Sequence, residues 1–261
     1  MAVKDSAAVR AGRAREYAKI ALRSTLYRRN LDLVRNPFPV RVATTLAWLG
    51  ADAVLDIGAN VGQYGSALRS SGYRGRVVSC EPLPDAYEAL TRRAAGDERW
   101  AHVCTAVGAE PGTLDINVSA NSYSSSILPM TAAHLGAAPG SKFVATRQVP
   151  VTTVADLVRQ HDVDPTRTLL KIDTQGYEAP VLDGAGDLLA KFAAIQLELS
   201  LVPLYAGQQL ADALTDRLTG LGFALYTLEG GFGDERTGRM LQYDGLFVRG
   251  DLLPAESGEH Q

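Results

Sequence analysis

The sequence predicts an α/β protein: a mostly parallel seven-stranded sheet, an antiparallel hairpin at its C-terminal edge, and a helical arm at the N-terminus. Three observations predict it. From Ala53 onward, short apolar runs alternate with amphipathic stretches, the pattern of strands and crossover helices. A glycine turn follows the first run directly. The last two runs lie too close together for a crossover helix between them, which makes them an antiparallel pair.

Residues 1–50 read as the arm. Tyr17, Ile20, Ala21, Tyr27, Leu31 and Val34 recur at helical spacing with arginines opposite, Asn36-Pro37-Phe38-Pro39 breaks the helix, and Val40 to Leu49 predicts a second one ending at Gly50. With few bulky apolar residues on its face, the arm reads as a lid or a homo-oligomer contact rather than a membrane-surface helix. Residues 51–261 read as one domain. Its strands are expected over Ala53–Ile57, Val77–Cys80, Val103–Val107, Leu169–Ile172, Ala194–Leu199, Phe223–Leu228 and Gly245–Val248. Helices are expected over Gln63–Ser71, Asp85–Ala95 and Ala179–Leu189. Shorter strands, Leu114–Val118 and Gln148–Thr152, flank a Ser-rich insertion over 119–147, long enough to be functional.

Composition narrows the class. The 261 residues carry a net charge of -3, unevenly spread. Residues 1–35 hold nine basic and three acidic side chains, leaving 17 basic and 26 acidic in the remainder. An acidic body disfavours a nucleic-acid partner. Cys80 and Cys104, the only cysteines, sit in apolar runs and make no zinc site or disulfide framework. No apolar run reaches the roughly 20 residues of a transmembrane helix, and no secretion signal is evident, so a cytoplasmic protein is expected.

The chemistry begins at Val54-Leu-Asp-Ile-Gly-Ala-Asn-Val-Gly-Gln-Tyr-Gly65. A buried strand ends near Asp56, a glycine turn follows, and a helix opens near Gln63, so backbone N–H groups face a ligand at the strand's carboxyl end. A dinucleotide fingerprint begun at Gly58 needs glycines at 60 and 63, where this chain has Asn60 and Gln63. Asp56, Gly58, Asn60 and Gly62 instead suit the amino-acid end of S-adenosylmethionine. Glu81, with Pro82 after the second strand, is placed to accept ribose hydroxyls, and Ala106 and Val107 to line the adenine.

These residues resemble the FkbM-type methyltransferases over Val54 to Val248. The resemblance rests on VLDIGANVGQYG, CEP at 80–82, AVG at 106–108, NSYSSSIL at 121–128, LLKIDTQGYEAPVLDGA at 169–185 and IQLELS at 195–200. It implies a Rossmann-like class I methyltransferase, with S-adenosylmethionine as donor and a hydroxyl of a sugar, polyketide or related metabolite as acceptor. It also implies an active-site role for Glu178.

A hydroxyl is a poor nucleophile while protonated, so transfer calls for a general base or a metal. Asp173 and Glu198, at neighbouring strand ends, could act directly or hold one Mg²⁺. That pair looks like the arrangement in catechol O-methyltransferase, whose third ligand has no clear counterpart here. His134, in the insertion, is a further candidate base. A nucleobase N-methyltransferase would carry an Asn/Asp-Pro-Pro-aromatic motif where this chain has Asp173-Thr174-Gln175-Gly176, and that reading is rejected. A nicotinamide-dependent enzyme or a non-catalytic nucleotide-binding module remains the other class. The small polar residues of the insertion favour a sugar hydroxyl, on an oligosaccharide or a glycosylated small molecule, with a polyketide hydroxyl as the alternative.

Overall fold

The computed structural model describes residues 24–26, 28, 36–121 and 123–254. Of the helix expected over 17–34, residues 24–26 are described and helical, with a turn at 28; its remainder, and the oligomer contact expected of it, lie outside the described residues. Residues from Phe38 onward form a compact unit of their own, which opens with the helix α1 (Phe38–Leu49). Phe38, Val42, Ala43 and Leu46 are buried in the same cluster as the sheet residues Val54, Val77 and Leu169. Their spacing of three and four residues puts them on one helical face.

Seven strands form the main sheet: β1 (Ala53–Ile57), β2 (Arg76–Cys80), β3 (Trp100–Val103), β7 (Thr168–Ile172), β8 (Ala194–Ser200), β9 (Phe223–Gly230) and β12 (Gln242–Arg249). They lie in the order β3-β2-β1-β7-β8-β12-β9. Every pairing is parallel except those of β12, which lies antiparallel between β8 and β9. The connection from β9 to β12 carries a small ribbon of its own, β10 (Gly233–Asp234) against β11 (Arg239–Met240). Between β1 and β2 runs α2 (Gln63–Ser70), and between β2 and β3 runs α3 (Pro84–Ala94). Because β1 has β2 on one side and β7 on the other, winding reverses beside it, and such a switch point opens a crevice at the carboxyl ends.

Alternating side chains give each face its own core. Leu55, Ile57, Leu170 and Ile172 pack with Val154 and Leu157 of α5 (Val154–Gln160), Val181 and Leu182 of α6 (Glu178–Asp183), and Leu214 and Leu218 of α7 (Ala211–Gly220). The remaining short helix, α4 (Ala132–Ala137), lies within the insertion. On the opposite face, one row across four neighbouring strands is polar. Register aligns Asp56 with Ser79 and with Lys171, and Lys171 with Gln196, and all four are buried.

Three expectations shift. The third strand ends at Val103, and Ala106–Val107 (β4) joins a separate sheet with β5 (Gly112–Ser119) and β6 (Phe143–Thr152), ordered β4-β6-β5. Strand β6 starts five residues early because β5 is long enough to pair back to Phe143, which shortens the irregular insertion to 120–142. The helix expected over Ala179–Leu189 stops at Asp183 and resumes as a 3₁₀ turn, Gly186–Lys191. At the break, a Cβ on Gly184 would fall 2.1 Å from the Gly108 carbonyl, so the chain there is fixed by close approach to the β4 loop.

Among the described residues, no helix is long and apolar enough to cross a membrane.

Candidate active site

Register builds the site. Ile57 pairs with both Cys80 and Ile172, and Ile172 with Leu197. Gly58, Glu81 and Asp173 follow these strand ends in one row, and Glu198, the next residue of β8, continues the row from within the sheet, opposite Asp244 of β12. All four line a single cavity, together with the expected Asn60, Pro82, Ala106 and Val107.

One end of the cavity suits a nucleoside. Glu81 is 6% exposed, and its two oxygens accept the backbone N–H groups of Asn60 at 2.8 Å and Leu83 at 2.9 Å. Those bonds freeze the carboxylate across the two loops while leaving a lone pair on each oxygen. Burial raises its pKa to about 7, against the opposing pull of the two N–H bonds. Leu83, just before α3, adds an apolar wall with Ala106 and Val107 of β4 and Ile116 of β5, suited to a flat ring. Gly58 (φ +75°) closes the floor. A Cβ there would lie 1.8 Å from the Asp173 carbonyl oxygen, so the glycine is required by the neighbouring loop rather than by a ligand.

The other end is polar. Gln175, in the loop after β7, donates through Nε2 to Asp173 Oδ1 at 3.0 Å and to Glu198 Oε2 at 2.8 Å. Glu198 Oε2 also accepts Gln242 Nε2 at 2.9 Å. Burial, then the nearby Asp173 charge, push the Glu198 pKa well above the carboxylate range. Both amide donors meet the same oxygen, Oε2. Tyr123 and Ser125 from the insertion and Thr174 and Tyr177 from the β7 loop also line the cavity, the Tyr177 ring lying beside Gly108 after β4.

Four expected residues sit elsewhere. Asp56 is fully buried in the polar row behind the loop, 3.0 Å from Lys171 Nζ and accepting Ser79 Oγ at 2.9 Å. It does not line the cavity; strand alternation turns it to the opposite face from Ile57. Its partner Lys171 also donates to the Gly58 carbonyl at 3.1 Å and lies 3.6 Å from Asp173 Oδ2. Burial alone would lower the Lys171 pKa, but the charges of Asp56 and Asp173 outweigh it and hold the ammonium above its ordinary value. Gly62 (φ +80°) faces the packing between helix and sheet, where a Cβ would meet Leu90 at 2.8 Å.

Glu178 lies under the β7 loop: Oε1 accepts the N–H groups of Thr174 and Gly176, both at 3.0 Å, and the Thr174 hydroxyl at 3.2 Å. It shapes the loop that carries Asp173 and Gln175 without lining the cavity. His134 is 3% exposed, packed against Tyr205 and Phe232 with ring centroids 5.1 and 5.3 Å away. Desolvation lowers its pKa. It too does not line the cavity.

A divalent cation fits this donor set poorly. Two carboxylates face the gap, and the Gln175 N–H groups, positive ends of an amide dipole, already span it. Among the described residues, no group of three or more His, Cys, Asp or Glu side chains could hold a metal. The expected Mg²⁺ site is therefore not supported.

Sequence reasoning passed over Gln175, Tyr177, Tyr123 and Tyr205. The first three stand inside the quoted motifs, but nothing in their spacing shows which way they face. The insertion's serines, expected to face an acceptor, largely tie the loop to itself: Ser119 Oγ donates to the Ser141 carbonyl, and Asn121 Nδ2 to both Ser124 Oγ and Ser141 Oγ.

The family described as "Methyltransferase FkbM domain" matches residues 56–225. Among solved structures, TrmK of M. capricolum, in complex with S-adenosyl-homocysteine, aligns at a TM-score of 0.46 and 8% identity, covering 82% of this chain and 68% of that one. Sp1610 of Streptococcus pneumoniae aligns at 0.45 and 12%, covering 85% and 73%. Magnesium protoporphyrin IX methyltransferase (ChlM) of Synechocystis PCC 6803, with bound S-adenosylmethionine, aligns at 0.42 and 14%, covering 88% and 96%. No curated protein matches the chain.

Proposed function

Because the chain belongs to the FkbM methyltransferase family, we propose that it methylates a hydroxyl of a sugar, in a glycan or a glycosylated small molecule, with S-adenosylmethionine as donor. When bound, the donor supplies a methyl group already activated by a sulfonium. The chain's residues then have to hold it, place an oxygen in line and remove a proton.

Glu81 accepts the ribose hydroxyls through its remaining lone pairs, and the Gly58–Asn60 loop offers backbone groups to the amino-acid end. Leu83, Ala106, Val107 and Ile116 cover the adenine. At the polar end, Asp173 accepts the acceptor's hydroxyl proton as general base. Gln175 fixes one of its oxygens, and the Lys171 ammonium lies 3.6 Å from the other.

The observation that carries the sugar reading is the pairing, in one cavity, of fixed carboxyl groups with two aromatic rings. Asp173 and Glu198, oriented by Gln175, offer carboxyl oxygens to neighbouring hydroxyls, while Tyr123 and Tyr177 line the same cavity. That combination matches a ring whose edge is polyhydroxylated and whose face is C–H. A polyketide hydroxyl is the second reading, since Tyr123 is 60% exposed and could lie over a macrocycle.

The test offers labelled donor with mannosides, glucosides, rhamnosides, macrolactones and catechols. Transfer to a sugar is expected; transfer to macrolactones or catechols alone overturns the acceptor. A thermal shift with S-adenosylhomocysteine and none with NADH checks the donor independently.

A further inference from the structure

Gln175 is built into the site more firmly than a side chain that merely lines it. Its backbone is left-handed, with φ +54°, a conformation that non-glycine residues adopt at a cost and that clusters at functional sites. Three separate elements hold it there. Ser126 Oγ, from the insertion, donates to its carbonyl at 2.7 Å. Glu178 ties the flanking Thr174 and Gly176 N–H groups. The Tyr205 hydroxyl, from the segment after β8, donates to Oε1 at 2.8 Å.

The two carboxyl groups decide which way the amide points. Nε2 faces Asp173 and Glu198, where each of its two hydrogens has a carboxyl oxygen to meet, and Oε1 is left against the Tyr205 hydroxyl. The opposite flip would set a carbonyl against both carboxyl groups. Tyr205 is itself fully buried and packed on His134, so the chain of contacts leads from a rigid aromatic cluster to the base.

We propose that Gln175 is a positioning residue that stands where a metal would bridge Asp173 and Glu198, its amide orienting both carboxyl groups toward the acceptor. The proposal rests on the reading of Asp173 as the base in methyl transfer to a hydroxyl. It makes the transfer metal-independent by construction: neutral N–H donors orient the pair without competing with the acceptor for the Asp173 charge.

Two variants test it. Gln175→Glu is nearly isosteric and converts the pair into three converging carboxylates, a hard-oxygen set for a divalent ion. Titration calorimetry with Mn²⁺ is expected to show a site in Gln175→Glu at least about 10-fold tighter than in the wild type. Gln175→Leu keeps bulk but frees Asp173, and misplacing a reacting group by about 1 Å costs about 100-fold. Its kcat on a sugar acceptor is expected to fall by about that factor, with the Kd for S-adenosylhomocysteine within about 3-fold of wild type.

Equal Mn²⁺ affinity in the two proteins, or a Gln175→Leu variant with wild-type kcat, overturns the proposal. If no sugar is methylated, the calorimetric comparison still decides it, because that arm needs no acceptor. A wild type inactive on every sugar but with the expected Mn²⁺ contrast would sink the acceptor reading and leave Gln175 standing.

Discussion

Replacing Glu178 by glutamine separates the loop-shaping role of this side chain from its charge. Glu178 is 3% exposed, and burial raises its pKa from 4.5 to about 7 although it accepts N–H bonds from Thr174 and Gly176. The folded state therefore holds a proton between those two values that the unfolded chain has released. Stability falls as pH rises from 4.5 through about 7 and levels off above it. At about 1.4 kcal/mol per pH unit, ionising this group in place costs about 3 kcal/mol. The Glu178→Gln side chain would keep an oxygen for the three donors and lose the titration. The variant should match the wild type near pH 5 and exceed it by up to about 3 kcal/mol at pH 8. Urea unfolding of both proteins at the two pH values measures the difference, and other titrating groups cancel in the comparison. A gap between the proteins that is the same at pH 5 and pH 8 would refute the reasoning.

The sheet was legible because its strands are short apolar runs bounded by turns, and β1, from Ala53 to Ile57, matches its expected limits. The reversal at β12 was legible from spacing alone. Less visible was the second sheet, since most of β6 is exposed and reads as polar loop until its pairing with β5 is known. The row of Gly58, Glu81, Asp173 and Glu198 could be read because the first three each follow a strand, and register aligns Glu198, still within β8, beside them. Asp56 could not be placed the same way. It precedes the last strand residue by one, and the pleat turns it to the far face, into the polar row with Lys171. His134 illustrates the other limit: a histidine in a Ser-rich stretch looks solvent-facing until Tyr205 and Phe232, distant in sequence, close over it. Gln175 was hidden for a similar reason, because the groups its amide meets include Glu198 and Tyr205, 23 and 30 residues on.

The remaining substitutions probe these placements. Gly58→Ala should abolish S-adenosylhomocysteine binding by calorimetry while circular dichroism stays native, since its Cβ would lie 1.8 Å from the Asp173 carbonyl; wild-type affinity would mean the two loops do not meet. Glu81→Ala should weaken the same binding by about 10- to 150-fold, the loss of hydrogen bonds worth about 1.5–3 kcal/mol, and an unchanged Kd would move the ribose elsewhere. His134→Phe preserves the aromatic packing and should keep kcat within about 3-fold with the same pH–rate profile; a large loss would restore histidine as the base. Lys171→Met removes the cation from a pair in which Asp56 is fully buried, and breaking such a pair costs about 3–5 kcal/mol because a charge is left uncompensated. Adding Asp56→Leu to Lys171→Met removes that stranded charge, so the double variant should recover most of the lost stability. It should not recover donor binding, because Lys171 also donates to the Gly58 carbonyl that shapes the cavity floor. Urea unfolding and calorimetry on the four proteins of this cycle separate the two effects, and strictly additive stabilities would show that Asp56 and Lys171 do not act as a pair.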